Sequence, residues 1–118
     1  MNARRCFVAS RVQVLESESD YASLIAKPKV KSVVYFTAPW SGPCSLIAPI
    51  FSELSNAFPN LNFAQLDVHE LDDTAAEAGV RDMPTFHFYA NGQLQEPLEL
   101  GGIDINQLKE NIQKLADM

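Results

Sequence analysis

The stretch Val33-Val34-Tyr35-Phe36-Thr37-Ala38-Pro39-Trp40-Ser41-Gly42-Pro43-Cys44 decides how the rest of the chain is read. Val33 to Phe36 is apolar at every position, so neither face of a strand built from it is polar. Such a run suits a central strand covered on both sides by helices. It leads into Pro39, Gly42 and Pro43, which interrupt regular structure. Beyond Cys44, Ile47, Ile50, Phe51, Leu54 and Phe58 recur at steps of three and four, which places them on one helix face. The order is therefore a buried strand, a tight turn and the N-terminus of a helix. Pro49 lies inside that helix, removes one backbone bond and is expected to kink it. Pro59-Asn60 closes it.

Working outward, Val12 and Val14 alternate with Arg11 and Gln13 ahead of Leu15, a short first strand. Ser17-Glu18-Ser19-Asp20 supplies N-cap candidates and first-turn acids. Tyr21, Leu24 and Ile25 continue at helical spacing, and Pro28 ends that helix. Lys27, Lys29 and Lys31 form a solvated basic connection to the strand Ser32 to Thr37. Asn62 to Val68 reads as a third strand. Leu71 to Ala78 reads as a short helix, with Gly79 just past its end. The order βαβαβα predicts a parallel sheet with right-handed crossovers. Thr85 to Ala90 is a further strand, and Asn91-Gly92 signals a tight hairpin. Leu94 to Leu100 is the expected return strand, which Pro97 confines to an edge or a bulge. Gly101-Gly102 breaks it. Asp104 or Asn106 caps a last helix whose apolar face is Ile105, Leu108, Ile112 and Leu115. The fold class is α/β: a mixed sheet, parallel in part and ending in an antiparallel hairpin, with helices on both faces.

The 118 residues suffice for one domain with one core. Residues 11–118 are assigned to it, and residues 1–10 to a flexible N-terminal segment. The net charge of −6 disfavours nucleic-acid binding. No apolar run approaches the ~18–20 residues of a membrane span. Arg4, Arg5 and Arg11 stand in an acid-free start, which either resembles a mitochondrial transit segment or is an unordered N-terminus with incidental arginines. Cys6 and Cys44 are too few and too far apart for a disulfide framework or a metal-ligand spacing, so no metal is implied. A reducing, intracellular setting follows, cytoplasmic or mitochondrial. His69 is expected in a loop and His87 half-exposed on a strand, while Glu70, Asp72, Asp73 and Glu77 form a solvated helix face.

Trp40-Ser41-Gly42-Pro43-Cys44, the Pro49 kink, Met83-Pro84-Thr85 and the Asn91-Gly92 hairpin before Gly101-Gly102 together resemble the thioredoxin family. The resemblance spans Val12 to Ala116. It implies that the Met83–Pro84 bond is cis and faces the active-site loop. It also implies an apolar surface for extended polypeptide made of Trp40, Gly42, Pro43, Met83, Pro84, Gly101 and Gly102. No cofactor is implied. The implied partners are proteins with extended segments or disulfides, together with a thioredoxin reductase or glutathione.

The chemistry of such a site needs two sulfurs at C-x-x-C spacing. The first attacks a substrate disulfide as a thiolate, and the second resolves the mixed disulfide. Here the nucleophile position is Ser41, whose hydroxyl is un-ionised near neutral pH, and only Cys44 remains. The family's buried Asp falls on Tyr35 and its companion lysine on Gln65. Neither side chain is a base at neutral pH, since phenol titrates near pH ~10. One expectation is a redox protein with impaired dithiol reductase activity, in which Cys44 is a monothiol or an inert core cysteine. The other is a redox-inactive polypeptide-binding module, a chaperone or assembly partner, using the groove beside Pro84.

Overall fold

The structure is a computed structural model and describes residues 10–38 and 42–118. Its elements run β1 (Val12–Leu15), α1 (Glu18–Ile25), β2 (Lys31–Thr37), α2 (Gly42–Ala57), β3 (Asn62–Asp67), α3 (Asp72–Glu77), β4 (Thr85–Ala90), β5 (Gln93–Leu94), β6 (Leu100–Gly101) and α4 (Ile105–Ala116). The sheet order is β1-β3-β2-β4-β5, with β6 also on β4. β1, β3 and β2 are parallel; β4 runs antiparallel to β2, and β5 and β6 run antiparallel to β4. The expected mixed sheet is present.

Alternation along β2 explains why its sequence is apolar throughout. Val33 and Tyr35 join Phe86 and Phe88 against Ile47, Phe51 and Leu54 of α2 and Leu108, Ile112 and Leu115 of α4. Val34 and Phe36 join Ala64 and Leu66 against Tyr21 and Leu24 of α1 and Ala75 of α3. Each face of the sheet therefore has its own core and its own pair of helices. A hydrogen bond of 2.7 Å between the Tyr21 and Tyr89 hydroxyls ties α1 to β4.

The element ends follow local rules. Ser17 Oγ accepts from Asp20 N–H at 3.1 Å, and Asp104 Oδ1 accepts from Gln107 N–H at 3.0 Å, so both helices begin on side-chain caps. At the end of α3, Gly79 N–H donates to Ala76 C=O and Val80 N–H to Ala75 C=O. This is a Schellman pair, and Gly79 takes the left-handed conformation it needs, φ +81°. Asn91 and Gly92 both have positive φ, 54° and 79°, as a two-residue hairpin turn requires. α2 runs unbroken from Gly42 to Ala57 with Pro49 inside it.

Two expectations are corrected. The return strand is not continuous from Leu94 to Leu100. It consists of the two stubs β5 and β6, separated by a 3-10 turn at Glu96–Leu98. Pro97 has no N–H for a ladder bond, and Asn111 Nδ2 of α4 binds Leu98 C=O at 2.8 Å, holding the turn down. His87 is not half-exposed but buried, with 3 % of its surface exposed. It lies opposite Val34 on the α1/α3 face, where its ring meets Phe36 edge-on at 4.9 Å. His69 is exposed in the turn after β3, as expected.

The domain begins at a clamp. Arg11 N–H donates to Ser55 Oγ at 3.0 Å. The Arg11 guanidinium donates to the carbonyls of Ser55, Phe58, Pro59 and Leu61 around the C-terminus of α2. These groups have no partners within the helix, and a cation suits the negative end of its dipole. The N-terminal segment assigned to residues 1–10 lies outside the described residues except for Ser10.

Candidate functional site

The site residues converge because of strand register. β2 ends at Thr37, and α2 starts at Gly42. β4 runs the other way, with Phe36 opposite Thr85, so Met83-Pro84 sits at the same end of the sheet as the start of α2. β6 brings in the third segment: Gly101 pairs with Thr85, and Gly102 N–H donates to Pro84 C=O at 2.9 Å. The Met83–Pro84 bond is cis. Pro84 is buried, Met83 is half-buried against the α2/α4 core, and Gly101 and Gly102 are exposed. Thr85 Oγ1 donates to Asp82 C=O at 2.6 Å and fixes the turn before β4.

On α2, Gly42 and Pro43 are exposed and Cys44 is buried, 3 % exposed. Pro43 lies in the first turn, where its missing N–H leaves no gap in the helical ladder. The positive end of the helix dipole faces this end of the sheet. Trp40 and Ser41, the expected platform and substituted nucleophile, lie outside the described residues.

Beneath the turn stands Tyr35. Its ring stacks on Phe86 at 5.1 Å and tilts against Phe51 at 5.1 Å. Its hydroxyl donates to the Cys44 carbonyl at 2.9 Å. Burial pushes the phenol well above its ordinary range; a side-chain hydrogen bond with Thr37 opposes this, and the neighbouring Cys44 side chain adds to it. Gln65 of β3 lies directly opposite Tyr35 of β2. The two positions onto which the resemblance places the family's Asp and lysine are thus neighbours on adjacent strands. At this spot the protein has a fixed donor to the helix backbone and no carboxylate. Among the described residues no group of three or more His, Cys, Asp or Glu side chains is placed to hold a metal ion.

Sequence reasoning did not single out Leu46 and Ile103. Leu46, one turn beyond Gly42, is 66 % exposed, and Ile103, next to Gly102, is 44 % exposed. The signal for Leu46 was its position off the apolar stripe of α2. Ile103 was marked only by lying between a Gly-Gly break and a helix cap.

A mixed sheet with two helices on each face, and a cysteine in the first turn of a helix at the same sheet end as a cis-proline, defines a class of thiol-bearing α/β domains. The chain belongs to the thioredoxin family: the Thioredoxin family model matches residues 12–114. It is 39% identical over 101 residues to thioredoxin-1 of Schizosaccharomyces pombe, covering 86% of this chain and 95% of that one. Thioredoxin NaTrxh of Nicotiana alata superposes with a TM-score of 0.85 at 30% identity, over 93% of this chain and 96% of that one. Mitochondrial thioredoxin 3 of Saccharomyces cerevisiae, in its oxidized form, superposes with a TM-score of 0.80 at 32% identity, over 87% and 94% of the two chains.

Proposed function

We propose that this chain is a thioredoxin-family protein of thiol–disulfide homeostasis whose dithiol reductase activity is impaired and whose working sulfur is the single thiol of Cys44. The observation that carries the reading is Tyr35. A protonated phenol is bound to the Cys44 carbonyl at the position where the resemblance implies a reductase's proton acceptor. The sequence adds that position 41 is serine.

As a monothiol, Cys44 attacks a disulfide as its thiolate. One S–S bond breaks as the mixed disulfide forms, and the other sulfur leaves as a thiolate. Without a cysteine at position 41, release of that adduct falls to an external thiol such as glutathione. The partners of this reading are proteins with disulfides or extended segments, and glutathione or a thioredoxin reductase. The setting is the cytoplasm or the mitochondrion. Likeness to a mitochondrial thioredoxin supports the second. The use of Arg11 to clamp α2 leaves Arg4 and Arg5 as the basic residues available to a transit segment.

The test is insulin disulfide reduction with dithiothreitol. The protein as it stands is expected to match the uncatalysed rate, and Ser41→Cys to exceed it. Equal, rapid reduction by both would overturn the reading. Exposure to oxidised glutathione should give a mass adduct on Cys44, and its absence would remove the monothiol role. If Ser41→Cys is also inactive, the second reading takes over: a redox-inactive polypeptide-binding module acting as a chaperone or assembly partner. The exposed Leu46 and Ile103 favour it. Under that reading Cys44→Ala keeps client binding while Trp40→Ala and Pro84→Ala reduce it, and equal binding by all three would end it.

A further inference from the structure

His87 Nδ1 is the one buried side-chain nitrogen or oxygen without a hydrogen-bond partner among the described residues. The ring lies between Phe36, at 4.9 Å, and Tyr89, at 6.4 Å. Its Nε2 stands 3.5 Å from Glu99 Oε1. A cleft of about 370 Å³ opens beside it, lined by Gly79, Arg81, Asp82, Thr85, Glu99 and Gly101 among others. The titratable and charged groups around His87 are Glu99 ahead of β6, Arg81 and Asp82 in the loop after α3, and the Tyr89 hydroxyl, itself bonded to Tyr21 of α1. β2 faces it with the Phe36 ring.

We infer that His87 is a proton sensor that loosens the β4–β6 edge, and with it Gly101 and Gly102, when the protein is acidified. With Nε2–H directed at the Glu99 carboxylate, the neutral ring leaves Nδ1 as a bare lone pair in an apolar cage, which is tolerable. A second proton must go onto Nδ1, creating a buried N–H with no acceptor on a charged ring. The imidazolium finds acceptors only by leaving the cage for the cleft, where the Glu99 and Asp82 carboxylates lie. Glu99 immediately precedes β6 in sequence, so the ring's movement into the cleft beside it disturbs Leu100 and Gly101 and the Gly102 N–H bond to Pro84. Burial lowers the His87 pKa, with Glu99 opposing it, so the ring is neutral at neutral pH and takes up its second proton only on acidification.

The inference concerns the same sheet end as the proposed function but is read without any client, so the two stand or fall separately. The experiment follows the imidazole and amide NMR signals of the whole chain from pH 7.5 to 5, with hydrogen exchange at Gly102. Protection of the Gly102 amide, corrected for intrinsic exchange, is expected to fall about tenfold along the His87 titration. In His87→Leu it should stay flat. The inference is overturned if Gly102 protection is constant while His87 titrates, or if His87→Leu loses protection just as the unaltered protein does. If the leucine variant does not fold, the first comparison, within the unaltered protein, still decides.

Discussion

Tyr35 divides its contribution between an aromatic ring and a single hydroxyl donor. A buried carboxylate needs partners or it stays protonated. A tyrosine fills the same region with ring area, stacked on Phe86 and Phe51, and directs a single donor to the Cys44 carbonyl. The two contributions are separable. Tyr35→Phe keeps the rings and loses the hydrogen bond, with an expected cost of about 1 kcal/mol in urea unfolding. Tyr35→Ala empties the core as well and should cost about 3–5 kcal/mol. Equal losses in the two variants would show that the ring contributes little. Sequence alone placed tyrosine at this position. It could not show the hydroxyl's partner, which depends on how α2 packs across β2.

Elements whose ends obey local chemistry were readable in advance. Gly79, Asp104 and Asn91-Gly92 act through bonds within a few residues of themselves, so their roles follow from residue type and spacing. Gly79→Ala meets no neighbouring atom, since nothing lies within 4 Å of the added Cβ. Its cost is therefore conformational, about 1–2 kcal/mol for a left-handed alanine, measurable as a lower midpoint in denaturant. Asp104→Ala should lose about 1 kcal/mol, and Asp104→Asn should recover most of it, since an amide oxygen also caps. Elements that depend on distant partners were not readable. Pro97 marks a break, but its sequence neighbourhood does not show that Asn111 holds the break as a 3-10 turn. In sequence Arg11 reads only as a basic residue of the N-terminus, because its acceptors lie 44 to 50 residues away. Arg11→Ala should destabilise the domain by about 1–3 kcal/mol, because it uncovers carbonyls at a helix end.

For the molecule as a whole, His87 sets a direction for stability against pH. Its folded-state pKa is lowered, so the unfolded chain, near pH ~6.5, takes up the proton more readily. The stability it contributes is complete above pH ~6.5 and declines as pH falls toward the folded value, by up to about 1.4 kcal/mol per pH unit. Urea midpoints at pH 7.5 and 5.5 should differ more for the unaltered protein than for His87→Leu. The burial of this histidine was not legible in the strand pattern. On a strand apolar on both faces, alternation says nothing about which side receives the imidazole. Only the packing of Phe36 and Tyr89 around it does.

The Arg11 clamp and the α2 axis together give the domain two poles. Gly42 opens α2 at the pole that carries Pro84 and Gly102, and Ala57 closes it as the helix's sixteenth residue, roughly 22 Å away. Arg11 binds at this far pole. So does the C-terminal end, because Lys31 Nζ, at the start of β2, donates to the Ala116 and Met118 carbonyls. A linker, tag or solid support attached at residue 10 or at residue 118 therefore emerges behind the domain, and leaves the cysteine-bearing pole pointing outward for whatever approaches it.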